Sequence, residues 1–451
     1  MYNPSFNACY ENKVDMGGAA TCVRGHFDQK DPAKVEVVRK RVFKEDFVYD
    51  DNKSPAENSD NAWITANHVV IDSGDTKSLM RDSWLQMALE ADGELALVKP
   101  VGLAEALKAR VISKGPYKLY YCLKFLQKEM FSVLSKHPCF TLIGKTVDAS
   151  IIQDVIGCLD PMFPDQGFLS GDYKDSTNEL YSFCSDVAVD EIMDCWEDNG
   201  LVGHSQELLR ALFHKALTGH TFEEKDGELK NQVHGQLMGS IVSFPILCLI
   251  NASLCRWTIE LYRMRVLNLV ESQLLVNGDD CLFKVTERGR VIWEKISAAH
   301  GLSPSVGKYF FSTRFAEINS TEFTYGEPVP FRSKAYGNDD YTLFVEKILY
   351  FEQVKYVNYG IINGMTRSTT TTSEGESARS LKWIFGASSD VEYLRSITPD
   401  SLWDAVYTKF RYSFGKACRA HGINLPWYLP LSIGGLGLPL PCGKSFTRED
   451  R

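Results

Sequence analysis

Two apolar runs, Leu274–Val276 and Cys281–Phe283, flank the tetrapeptide Asn277-Gly278-Asp279-Asp280, and no other stretch restricts this chain so tightly. Asn-Gly suits the positive φ of a tight turn, so the pattern predicts a β-hairpin with two adjacent carboxylates on its tip. Gly-Asp-Asp alone carries little weight. Average residue usage produces it by chance in about one chain in ten of this length, and Gly and Asp are favoured in any surface turn. A second carboxylate raises its significance. FLSGDY from Phe168 reads as a short strand, KDST as a polar turn, and the residues from Asn178 as a helix with Leu180, Phe183, Cys184 and Val187 at helical spacing. Asp172 is thereby expected at a strand's C-terminal end, in a unit of the right size to bring it to the same sheet edge as the hairpin.

Three carboxylates so placed suit one chemistry. Transfer of a nucleotidyl group to a polynucleotide end uses two divalent ions roughly 3.5–4 Å apart, held by hard oxygen ligands. Asp172 and Asp279 are the candidates to bridge both ions, Mg²⁺ or Mn²⁺, with Asp280 as auxiliary ligand or orienting group. Gly278 leaves space for a primer end to approach the backbone.

The remaining sequence sets bounds. A chain of 451 residues is too long for one core and suits two or three linked subdomains. With 44% hydrophobic and 24% charged residues it reads as soluble and globular. Its twelve cysteines form no CxxC pair and read as buried thiols in a reducing compartment. The opening MYNPSFNACYENK has no apolar core of a signal peptide, so a cytosolic N-terminus is expected. The formal charge of −9 opposes a nucleic-acid partner if taken alone. Between Val101 and Met130, however, six basic residues face two acidic ones, a local balance of +4, enough for a basic channel inside an acidic protein.

Several features are decoys. The stretch from Asn231 to Cys255 lacks Asp, Glu, Lys and Arg but holds Gln232, His234, Gln236, Ser240, Ser243, Pro245 and Asn251, too polar for a membrane span. Asp186, Asp190, Asp194 and Asp198 recur every fourth residue, which reads as a solvated helix face rather than a metal site. Gly144-Lys145-Thr146 ends like a phosphate-binding loop but lacks its first Gly. Ser368–Ser373 (STTTTS) reads as an exposed loop.

The order of the parts is recognisable. KARVISKGP at 108–116, SGDYKDSTN at 170–178, GQLMGSIVSFP at 235–245, NGDD at 277–280 and GLSPSVGKYFFS at 301–312 follow one another as motifs F, A, B, C and D. The chain resembles the RNA-dependent RNA polymerases of positive-strand RNA viruses, and among them the ourmia-like (botourmiavirus) group of the narnavirus and levivirus lineage. The resemblance covers about residues 99–325, with LPLSIGGLGLP at 429–439 similar to a thumb segment. It implies that Lys108, Arg110 and Lys114 grip the incoming triphosphate. Gly239, Ser240 and Ser243 match the loop that monitors the template and nascent pair, a helix N-cap being the alternative for either serine. Lys308 matches the lysine that protonates departing pyrophosphate. Asn178 stands where many relatives carry a second motif A aspartate, and an amide can still bond a ribose 2′-OH. The motif B Asn that commonly partners that aspartate is replaced by Leu247, with Asn251 one turn later.

The implied architecture is an α+β right-hand polymerase fold. An N-terminal lead and fingers would occupy 1–150, and an antiparallel-sheet palm 151–330, with a fingers insertion at about 190–235. A mainly helical thumb would occupy 331–451. The implied function is RNA-templated RNA synthesis from ribonucleoside triphosphates on a viral RNA template and nascent strand, replicating and transcribing a positive-strand genome in the host cytoplasm without a transmembrane segment. A reverse transcriptase is the nearest rival, although it usually reads YxDD, and a catalytically silent RNA-binding relative is the other.

Overall fold

The computed structural model describes residues 7–13, 16–28, 36–43, 63–70, 73–105, 108–198, 206–224, 227–336, 342–364, 371–372 and 376–441. The fold is α+β. The strands that position the site are β1 (Ala96–Glu105), β2 (Lys108–Lys114), β3 (Gln166–Gly171), β4 (Leu274–Asn277), β5 (Asp280–Thr286), β6 (Phe310–Ser312), β7 (Phe315–Ile318), β8 (Thr321–Tyr336) and β9 (Thr342–Gln353). The helices are α1 (Ser182–Asp198), α2 (Gln206–Lys215), α3 (Ser243–Arg263), α4 (Glu287–Ala299), α5 (Glu376–Ile397) and α6 (Trp403–Ala420).

The central sheet has the order β6-β3-β5-β4, every neighbour antiparallel. Both of its faces are buried, and the period of two decides which side chain goes where. Leu169, Leu274, Val276, Cys281, Phe283 and Val285 face a large core shared with α1, α3 and α4. Phe168, Leu275 and Leu282 point the other way, into a smaller core with Ile152, Ile156, Phe323 and Phe351. Lys284 falls on that second face, where its Nζ donates to the Cys158 carbonyl at 2.7 Å and burial lowers its pKa to about 8.

Helix α3 passes through the main core. By length and composition it is apolar enough to cross a bilayer, yet twelve of its residues from Ser243 to Ile259 are buried inside the protein. Ahead of the sheet, β1 and β2 form an antiparallel ribbon pairing Lys99 with Lys114 and Glu105 with Lys108. Gly115-Pro116 then turns the chain into the helix Tyr117–Cys122, since Pro sets the extended entry.

One expectation about the elements needs correction, and two expected boundaries fall inside elements. Only half of the stripe 180/183/184/187 is buried: Leu180, ahead of helix α1, and Cys184 are in the core, while Phe183 and Val187 are half exposed and Ser185, Val189 and Met193 are buried instead. The helix starts at Ser182, after a separate turn at Ser176–Glu179, so its phase differs from a helix begun at Asn178. The expected insertion at 190–235 begins inside α1. The palm–thumb division at 330/331 falls inside β8, which pairs with β9 in a long antiparallel ribbon, and the short helix Tyr359–Ile362 follows it before α5. There α5 and α6 close a third core around Trp383, Phe410 and Phe414. The stretch Ser368–Ser373 lies largely outside the described residues.

Candidate active site

Strand register assembles the carboxylates. Gly171 of β3 pairs with Cys281 of β5, so one step further along each strand sets Asp172 opposite Asp280. Asn277 pairs with Asp280, leaving Gly278-Asp279 as the two central residues of the hairpin turn. Only the first has positive φ (Gly278, 71°), the pattern of a II′ turn, so the glycine that matters is the one before Asp279 rather than an Asn-Gly pair at the centre. A side chain at 278 would also come within 3.2 Å of the Phe244 ring.

Charge accumulates here. Burial above all, then Asp279, Asp172 and Glu317, lift the Asp280 carboxyl to about 7. Glu317 lies on β7, whose amide at that position donates to Ser170 Oγ at 2.7 Å, and its own carboxyl is raised by burial, then by Glu322 and Asp172. Ser176 Oγ donates to Asp279 Oδ2 at 2.9 Å. Lys308 Nζ stands 3.8 Å from Asp172 Oδ2, the lysine being mostly exposed. Its loop is tied to motif A: Ser305 N–H donates to the Asp172 carbonyl at 2.8 Å, Lys174 N–H donates to that of Ser303 at 2.9 Å, and Tyr173 bridges Pro304. Asp172, Asp279, Asp280 and Lys308 are thus brought together.

The donor chemistry fits divalent ions, since the oxygens are hard and the Asp280 carboxylate is burdened by like charges that a cation would relieve. Among the described residues, no three acidic, imidazole or thiol groups converge tightly enough to hold an ion as they stand.

Motif F meets motif B through the backbone. Ser113 N–H donates to the Met238 carbonyl at 2.9 Å, and Gly239, at φ 143°, lies so close that a Cβ would fall 2.1 Å from the Ser113 oxygen. On β2, positions 108, 110 and 114 fall on one face by register. Arg110 and Lys114 are half-buried there, and the side chain of Lys108 lies outside the described residues. Ser240 and Ser243 are both buried and neither caps α3, whose N-cap is Val242 without a side-chain bond. Ser240 Oγ instead donates to the Ala216 carbonyl, and Ser243 Oγ to Gln236 Oε1 at 2.7 Å. Both hydroxyls hold the loop rather than face outward. Asn178 is exposed where motif A abuts motif B, with Gly235 packed against its carbonyl.

Sequence reasoning missed Glu317, Ser176, Tyr173 and the role of Asn251. Ser176 sits within SGDYKDSTN and was within reach of the motif, while Glu317 belongs to a strand with no signature. The acidic stripe of α1 is not simply solvated. Asp190 and Asp194 pair with Arg210, Asp186 and Asp190 with His214 at 3.0 Å each, and Thr218 Oγ1 donates to Asp186, which fastens α1 to α2.

No protein-family model matches the chain. The RNA-dependent RNA polymerase of Ourmia melon virus is 30% identical over 348 residues, covering 74% of this chain and 38% of that protein. The chain therefore spans under two fifths of that relative, and the resemblance read from the motif order is borne out over the part they share. Among solved structures, the RNA-dependent RNA polymerase of a human picorbirnavirus aligns with a TM-score of 0.47 at 13% identity, over 71% of this chain and 55% of that one. Its insertion-loop deletion mutant aligns with a TM-score of 0.49 at 14% identity, over 72% and 59%.

Proposed function

We propose that this chain is a viral RNA-dependent RNA polymerase of the ourmia-like group, adding ribonucleotides to an RNA 3′ end with Mg²⁺ or Mn²⁺. The observation that carries the reading is the strand register that sets Asp172 against Asp280, with Asp279 beside Asp280 at the tip of the hairpin. The fold is then a right hand, with the sheet around β3 and β5 as the palm, the β1–β2 ribbon in the fingers and the α5–α6 bundle as the thumb.

Asp172, Asp279 and Asp280 would hold the ions, which when bound supply charge stabilisation to the attacking 3′ oxygen and the departing pyrophosphate. The chain's own groups do the rest. Ser176 orients the Asp279 carboxylate. Arg110 and Lys114, with Lys108, provide guanidinium and ammonium donors for a triphosphate. Lys308 gives its proton to the pyrophosphate oxygen released as the α-phosphorus bonds to the 3′ oxygen. Asn178 is the exposed amide available to a ribose hydroxyl. The partners are a viral RNA template, its nascent strand and ribonucleoside triphosphates. The host cytoplasm is the proposed location, supported by cysteines that are all free among the described residues.

Incorporation of labelled ribonucleotides on a short RNA template with Mg²⁺ tests this, comparing wild type with Asp279→Ala. Activity abolished in the variant and a preference for rNTP over dNTP are the expected results. Equal behaviour of the two proteins would refute the reading.

A further inference from the structure

A wholly buried polar chain runs beneath the carboxylates and is used by nothing described so far. Tyr173, next to Asp172, is 3% exposed, and Asn251, Trp293 and Ser297 are 0% exposed. Trp293 Nε1 donates to the Tyr173 hydroxyl at 3.1 Å, and that hydroxyl donates to Asn251 Oδ1 at 2.9 Å. Asn251 Nδ2 then donates to the carbonyls of Gly278 at 3.0 Å and Asp279 at 3.1 Å. From the same helix, the Cys248 sulfur accepts the Gly278 N–H at 3.2 Å.

Inventory and distance fix the direction of the chain. An indole N–H can only donate, so the Tyr173 oxygen accepts there and has its single proton left to give, which goes to Asn251 Oδ1 at 2.9 Å rather than to the more distant Ser297 Oγ at 3.5 Å. Giving it to Asn251 Oδ1 sets the orientation of the amide, and both amide protons then face the turn. With Cys255 Sγ also donating to Oδ1 at 3.4 Å, the amide is fully satisfied, the condition under which a buried network rigidifies its surroundings. A flipped amide would aim an oxygen at two carbonyls.

We infer that Tyr173 and Asn251 are positioning residues, through which motif A and the motif C turn set each other's place and so fix where Asp172 and Asp279 stand relative to one another. The inference rests on the polymerase reading and deepens it. It also assigns Asn251: with both amide protons committed to the turn, it is not a ribose-contacting group, and its place one helical turn beyond Leu247 is the place from which the turn carbonyls are reached.

Tyr173→Phe removes one oxygen from an otherwise unchanged ring, and Asn251→Asp keeps the shape while losing the donors. Mn²⁺ binding followed by electron paramagnetic resonance, with kcat, nucleotide KM and the unfolding midpoint, separates the possibilities. Partners behind metal ligands typically change affinity or activity by about 10–100-fold. For Tyr173→Phe we expect Mn²⁺ affinity and kcat each to fall about tenfold, KM to stay within about twofold, and the protein to remain folded. Asn251→Asp should be worse on the first two. Wild type that fails to bind Mn²⁺, or variants that bind it as tightly as wild type with unchanged kcat, would overturn the inference even if RNA synthesis is intact. Mn²⁺ binding that weakens in the variants of a protein making no RNA would sustain the inference while the polymerase reading failed.

Discussion

Replacing Asp280 with Asn isolates the electrostatic cost of the site. Burial, then Asp279, Asp172 and Glu317, move the carboxyl from its ordinary 3.8 to about 7. The folded protein then binds a proton that the unfolded chain has already released, so the stability this group contributes is present below about pH 4 and is lost as pH rises through about 7. Ionisation above that range costs the metal-free fold about 4 kcal/mol at most, at 1.36 kcal/mol per pKa unit. Relaxation and water entry reduce such penalties, and about 1–2 kcal/mol is the expected residue. Asp280→Asn removes the charge and keeps an oxygen to accept the Asn319 backbone N–H that now bonds the carboxylate. In urea unfolding with chelator, the variant should be more stable than wild type by about that amount at pH 8, with the difference shrinking as pH falls and vanishing below about pH 4. Excess Mg²⁺ at pH 8 should restore or reverse the order, because only wild type gains a full ligand set. An advantage that is absent at pH 8, or equal at both pH values, would refute the account of a carboxylate destabilised by its acidic neighbours.

Two further substitutions test other parts of the site. Gly239→Ala would place a Cβ 2.1 Å from the Ser113 oxygen at a φ of 143°, so a loss of about 1–3 kcal/mol and faster hydrogen exchange at the Ser113 amide are expected, with RNA synthesis falling in parallel. Lys308→Leu should lower kcat about 100-fold with nucleotide KM nearly unchanged, Lys308→Arg less so, since removing a general acid affects the chemical step; a change confined to KM would instead make Lys308 a binding group.

Much of the site was legible because its signals are local. A hairpin turn declares itself by Gly between apolar runs, and a strand-end carboxylate by the polar turn that follows it. Asp172, Asp279 and Asp280 needed nothing more. What bound them together was not legible, because it depends on register and on residues that look ordinary in sequence. Glu317 reaches the cluster only because β7 lies against β3, with its amide on Ser170 Oγ. Ser240 and Ser243 resemble caps by residue type, yet their hydroxyls go to Ala216 and Gln236, groups that tertiary packing brings near. The stripe on α1 looked solvated because its partners, Arg210 and His214, stand on another helix. Helix phase failed at Phe183 and Val187 for a similar reason: the break between Glu179 and Ser182 resets the rotation, and no periodicity count spans a break.

The distribution of charge bears on the order of events under the proposed reading. Asp172, Asp279, Asp280 and Glu317 share one corner of the sheet, and Lys308, 3.8 Å from an Asp172 oxygen, is largely in water. A triphosphate brought to that corner with no ion present meets like charge in a partly desolvated place, where repulsion is poorly screened. The basic strand can attract it, while the backbone of β2 is fastened to the motif B loop through Ser113 and Met238. Under that reading divalent ions would arrive before the triphosphate or with it, since the crowding that lifts the Asp280 carboxyl to about 7 is what a cation would relieve. The network through Tyr173 and Asn251 then has a physical reason to be buried and fully bonded. Carboxylates that repel one another stay at a working distance only when their backbones are held from behind, and Asn251, on the core helix, holds the turn that carries one of them.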